Sequence, residues 1–124
     1  MGTVGNGIGT PIQTLTLYWD GTSWTQVPSP SPGGAFNSVL TGVTATSGSD
    51  VWAVGDYISS QDPSVTLLTL ILHWDGTAWA PAPSLQKGGA PITLTGVAAI
   101  SSTEAWAVGI FGPTPDQTLA FHLK

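Results

Sequence analysis

Cysteine and arginine are absent from this chain, and lysine occurs twice, as Lys87 and Lys124. Without Cys there is no disulfide framework, no thiolate nucleophile and no Cys-ligated zinc. Seven acidic residues leave a net charge of −5 over 124 residues. Nucleic acid is disfavoured as a partner, because replacing counterions on phosphate takes several cations and here the two lie far apart. An anionic membrane surface is disfavoured for the same reason. Long apolar runs are missing too. The longest, from Val65 to Trp74, is broken by Thr66, Thr69 and His73, far short of a bilayer span. The start, Met1-Gly2-Thr3-Val4, has neither the basic nor the apolar region of a signal peptide.

Gly and Pro are plentiful, at 16 and 10, and there are six Trp within a hydrophobic fraction of 41%. A disordered chain would be poor in aromatic and aliphatic residues and rich in charge. The chain therefore folds, and turn residues between short apolar runs favour many short strands.

An internal repeat organises the sequence. Trp19-Asp20-Gly21-Thr22-Ser23-Trp24 recurs as Trp74-Asp75-Gly76-Thr77-Ala78-Trp79. Leu40-Thr41-Gly42-Val43 recurs as Leu94-Thr95-Gly96-Val97, and Val51-Trp52-Ala53-Val54-Gly55 as Ala105-Trp106-Ala107-Val108-Gly109. The order is kept, the offset is 54 or 55 residues, and all six Trp fall inside these blocks. A partial third copy joins the two ends: Val4-Gly5 matches Val108-Gly109, and Gln13-Thr14-Leu15 matches Gln117-Thr118-Leu119.

Each period reads as four strands. Leu70, Leu72 and Trp74 alternate with other residues on one face of a half-buried strand, as do Leu15, Leu17 and Trp19. Asp-Gly then suits a tight hairpin turn. The strand opened by Trp24 or Trp79 stops near Pro28 or Pro81, since Pro cannot donate to a ladder. Gly42 and Gly96 imply a close backbone approach. Four antiparallel strands per period of this length suit a β-propeller blade. Residues 1–36 hold the last two strands of one blade, 37–90 a full blade, and 91–124 the first three strands of another.

With both motifs present twice, the chain resembles a bacterial family of tandem units that read HWDGTSW and DVWAVG. That family is regarded as propeller-like and sits near the kelch and Asp-box groups. The resemblance covers nearly the whole chain and implies an all-β propeller-type fold. Leu123-Lys124 departs from it where Trp-Asp would stand. Propellers close with about four to eight blades, and two blades leave open edges and apolar faces. The chain is therefore a fragment of a longer array, an open unit, or a member of a ring of copies. Matching ends favour the ring, with the chain itself as partner. One copy of the leucine strand, Leu15 to Trp19 or Leu119 to Leu123, is then surplus.

Few residues offer chemistry, and none points to a cofactor, a metal or catalysis. Asp20 and Asp75 suit turn carboxylates bonded to backbone amides, or else recurrent carboxylates for sugar or calcium. Trp24 and Trp79 are the aromatic residues best placed to be exposed and to stack on a sugar ring, while Trp52 and Trp106 suit packing. His73 and His122 occupy the position of Tyr18 and suit packing with a polar tip. Asp50 and Glu104 read as turn residues. The segment Asp56 to Leu68 has 13 residues against eight in each counterpart, and it carries Tyr57 and Asp62 as candidate contacts. Gly5-Asn6-Gly7-Ile8-Gly9 has no Lys after it and is no phosphate loop. These features favour a non-catalytic binding or scaffold module for a protein or carbohydrate ligand. A lectin-like sugar binder is the alternative, and a glycoside hydrolase, with its need for paired carboxylates, fits least.

Overall fold

The computed structural model describes residues 2–4, 11–32, 36–58, 67–83, 92–112 and 117–123. They form an all-β protein of ten strands, with no helix among the described residues. The first sheet has the order β1 (Gly2–Val4), β2 (Gln13–Trp19), β3 (Trp24–Val27). The second runs β4 (Ser38–Ser47), β5 (Asp50–Tyr57), β6 (Leu68–Trp74), β7 (Trp79–Pro81). The third comprises β8 (Ile92–Ser101), β9 (Glu104–Phe111) and β10 (Gln117–Leu123), with β9 central. Every neighbouring pair is antiparallel, and among the described residues none of the sheets closes on itself.

The repeat is kept down to register. Leu40 pairs with Gly55 and Gly42 with Val54, leaving Thr41 as a bulge. Leu94 pairs with Gly109 and Gly96 with Val108, leaving Thr95. The bulge reuses its extra residue across the sheets, since Thr41 Oγ1 donates to Leu94 O at 2.6 Å. Ala99 N–H in turn donates to Thr44 Oγ1 at 3.1 Å. A Cβ on Gly42 would lie 3.6 Å from Gly96 Cα, so the expected close approach is between these two glycines.

The second sheet is the middle layer. One face, with Trp52, Val54 and Ile71, packs against Ile92, Leu94, Ala105 and Ala107 of the third sheet. The other face gathers Leu40, Ala53, Leu70 and Leu72, with Tyr57 and Trp79 against them, and the first sheet lies beside it through β1 and β2. A hydrogen bond from Ser38 N–H to Ile12 O, 2.8 Å, ties that junction. Both faces of β5 and β6 are consequently buried, so the middle strands read as apolar runs rather than strict alternation.

Three expectations change. The first sheet gains a strand, Gly2–Val4, and Gly2 rather than Gly5 pairs with Leu15, as Gly55 does with Leu70. Neither copy of the leucine strand is surplus, because β2 lies between β1 and β3 and β10 pairs along its whole length with β9. Tyr57 is not in a loop. It ends β5 opposite Ser38 and Leu68.

Candidate functional site

The turns after β2 and β6 begin with a directly opposed Trp pair, Trp19 with Trp24 and Trp74 with Trp79. Four residues span each turn, so the Asp-Gly step is not the centre of a two-residue hairpin. Its glycine still takes the positive φ that Gly tolerates, 98° at Gly21 and 101° at Gly76. Asp20 Oδ1 accepts the N–H groups of Thr22, 2.7 Å, and Ser23, 2.8 Å. Asp75 Oδ1 accepts the Thr77 N–H at 2.8 Å, the Thr77 hydroxyl at 2.7 Å and the Ala78 N–H at 3.0 Å. These bonds favour the ionised form. The Ser23 amide, with Thr22, lowers Asp20. The Thr77 hydroxyl, with the Thr77 and Ala78 amides, lowers Asp75 to about 2. In both turns the carboxylate organises its own loop.

A cleft of about 360 Å³ opens between the first and second sheets. Thr16, Tyr18 and Val27 line one wall, and Val43, Trp74 and Trp79 line the other. Some of its polar groups are engaged. Thr16 Oγ1 donates to Val27 O at 2.7 Å, and Trp74 Nε1 donates to Gly48 O at 3.2 Å. The cleft presents mainly aromatic and aliphatic surface. Val43 is half exposed within it.

A second arrangement repeats in the second and third sheets. His73 Nε2 is 2.6 Å from Asp50 Oδ1, and the His73 ring stacks on Trp52 at 4.3 Å. Thr46 Oγ1 donates to the other Asp50 oxygen. His122 Nε2 is 2.5 Å from Glu104 Oε1, and its ring stacks on Trp106 at 4.8 Å. Burial works against ionisation of Asp50, but the bonds from His73 and Thr46, with the electrostatic attraction of His73, outweigh it and leave its carboxyl below the ordinary value. The first set ties three strands, β4, β5 and β6, and the second ties two, β9 and β10. Trp52 Nε1 is buried there with no hydrogen-bond partner among the described residues.

The sequence-predicted residues are thus divided. Trp79 and Trp74 reach the cleft, while Trp24, 64% exposed, stands with Trp19 on the first sheet. Asp20 and Asp75 each hold their own turn through Oδ1. Tyr57 packs against the Leu40 and Leu72 cluster as a half-buried side chain rather than a loop contact. Asp62 lies outside the described residues. Trp106, expected in packing, is 45% exposed, whereas its equivalent Trp52 is 5% exposed. Tyr18 and Val43 were not singled out as a wall of anything, since only the stacking of two sheets brings residues so distant in sequence together. Asp50 and Glu104 do lie at turns, but each also holds a histidine. The histidine-to-acid spacings, 23 and 18 residues, follow from strand register and carry no motif. Among the described residues, no group of three or more His, Asp or Glu is arranged to hold a metal ion. No family model, curated protein or solved structure matches this chain.

Proposed function

We propose that the three sheets are consecutive blades of a propeller-type repeat protein and that the chain is a non-catalytic binding module. Its ligand site is the cleft between the first two sheets, and the ligand is a protein segment that inserts an apolar or aromatic side chain. The observation that carries this reading is the cleft wall: Tyr18, Trp74 and Trp79 offer large rigid surface, the kind of anchor pocket in which binding energy concentrates. A sugar needs many hydrogen-bond partners, and Oδ1 of both Asp20 and Asp75 is already bonded within its own turn.

The test is a peptide-display selection on the intact chain, followed by binding of the selected peptides to Val43→Asp. A tenfold or greater loss of affinity is expected, because a carboxylate placed on that wall would be desolvated by an apolar ligand. Unchanged binding would move the site elsewhere.

Trp24 favours the carbohydrate alternative, since it is the most exposed Trp of the recurrent turn pair. A glycan array read with the wild-type chain and Trp24→Ala tests it. Glycan binding that Trp24→Ala abolishes would replace the peptide reading, and an empty array would retire the alternative.

A further inference from the structure

The chain contains one well-packed example of how its sheets stack. In it, the face of the second sheet carrying Trp52, Val54 and Ile71 meets the third-sheet face carrying Ile92, Leu94, Ala105 and Ala107. Strand register carries each of these faces to the sheet that presents it unpartnered. Trp52 and Val54 correspond to Trp106 and Val108, because Trp52 pairs with His73 as Trp106 does with His122. Leu72 and Trp74 correspond to Leu17 and Trp19, because Trp74 pairs with Trp79 as Trp19 does with Trp24.

Burial changes sharply between equivalents. Trp52 and Val54 are 5% and 0% exposed, but Trp106 and Val108 are 45% and 47%. Ile110, two residues on along the same face of β9, is 43% exposed. Leu72 is 0% exposed, but Leu17 is 41% and Trp19 47%. The two uncovered faces are therefore not alike. One is the kind that ends a sheet pair, the other the kind that begins one, and they fit each other rather than themselves.

We propose that the outer face of the third sheet, built on Trp106, Val108 and Ile110, docks on the outer face of the first sheet, built on Leu17 and Trp19, in a second copy of this chain. The contact is heterologous, head to tail, so each copy offers one half of it at each end and a closing rotation makes a ring. It also completes a site. In the cleft within the chain, Trp74 and Trp79 face Tyr18 across two sheets. At the junction, Trp19 and Trp24 take the places of that Trp pair, and His122 of the partner copy takes the place of Tyr18. Neither half is a cleft alone. The inference rests on reading the sheets as consecutive blades, but not on the ligand assigned to the intramolecular cleft.

The test uses two single-face variants and their mixture. Val108→Asp spoils one face and Leu17→Asp the other, both at exposed positions that leave the interior intact, which circular dichroism and a urea melt check. Light scattering with size exclusion should show wild-type chain at a multiple of 12.7 kDa. Each variant alone should fall to a single chain. An equimolar mixture should give a species of two chains and no larger, because one good face of each remains. In that mixture Trp24 should become less accessible to acrylamide quenching. Wild-type chain that stays single at high concentration would overturn the inference, as would a variant that still associates alone or a mixture that does not pair. Should folding of either variant fail, Trp106→Ser with Trp19→Ser repeats the design. Leu17 also borders the intramolecular cleft, so peptide affinity is read on Val108→Asp. Its retention separates a failed junction from a failed ligand site.

Discussion

Replacing Gly55 with alanine is expected to destabilise the chain by about 3 kcal/mol or more, a figure that follows from backbone crowding. A Cβ at Gly55 would lie 1.9 Å from Val39 O, 2.8 Å from Val39 C and 2.9 Å from Leu40 Cα. All three atoms are backbone, so no side chain can rotate away. The bulge that leaves Thr41 unpaired pushes the β4 carbonyl over this position, and β4 would have to retreat from β5 by more than an ångström. That retreat would loosen the pairings of Val39 with Asp56 and of Leu40 with Gly55, and β5 contributes residues to both apolar clusters. An alanine in an uncrowded strand position would instead stabilise by roughly 0.5–1 kcal/mol. Crowding must therefore exceed that gain. The third sheet repeats the arrangement, with a Cβ on Gly109 falling 2.0 Å from Thr93 O. Urea unfolding of Gly55→Ala measures the effect, with Gly48→Ala as control because nothing lies within 4 Å of its Cβ position. The control should stay within about 0.5 kcal/mol of wild type. Equal midpoints for the two variants would refute the argument that a carbonyl selects glycine here.

Trp52→Phe should cost under about 1.5 kcal/mol, because it keeps most of the ring while removing the unpartnered indole N–H, whereas Trp52→Ala should cost about 3–5 kcal/mol. Urea melts of the two variants decide, and equal losses would show that the ring's packing is not what Trp52 contributes. Acid should weaken the fold in a defined direction. Asp75 is lowered from 3.8 to about 2, so the stability its ionised form contributes is present above 3.8 and is lost as pH falls toward 2. Asp20 and Asp50 are lowered as well and act with the same sign. Burial raises Asp56, which therefore acts oppositely, its ionisation costing stability once pH rises through its raised value. Urea midpoints should fall between pH 4 and pH 2, less steeply in Asp75→Asn, and identical slopes would remove Asp75 from the account.

Much of the architecture was legible because it is local. The alternation Leu70, Leu72, Trp74 marks a strand to anyone counting by twos, although both faces of that strand are covered rather than one, and Asp75-Gly76 marks the turn, its carboxylate accepting the Thr77 and Ala78 amides. The first strand, Gly2–Val4, was missed because three residues carry no periodicity. Its place was set by pairing with Gln13–Leu15. Tyr57 was misread for a related reason: a strand that overruns its motif looks like the start of a loop. Trp52 and Trp106 cannot be told apart in sequence, and one is buried while the other is open.

The sequence by itself determined the repeat, the strand faces, the turns and the absence of a cation-rich or thiol site, since each depends on residues within a few positions of one another. Only the tertiary structure decided which faces are covered, which acid each histidine holds, and that Tyr18 meets Trp74 and Trp79 across a cleft. Those outcomes depend on register and on how sheets stack. A shift of one residue in pairing turns every side chain to the opposite face, and no stretch of chain shorter than two sheets contains that information.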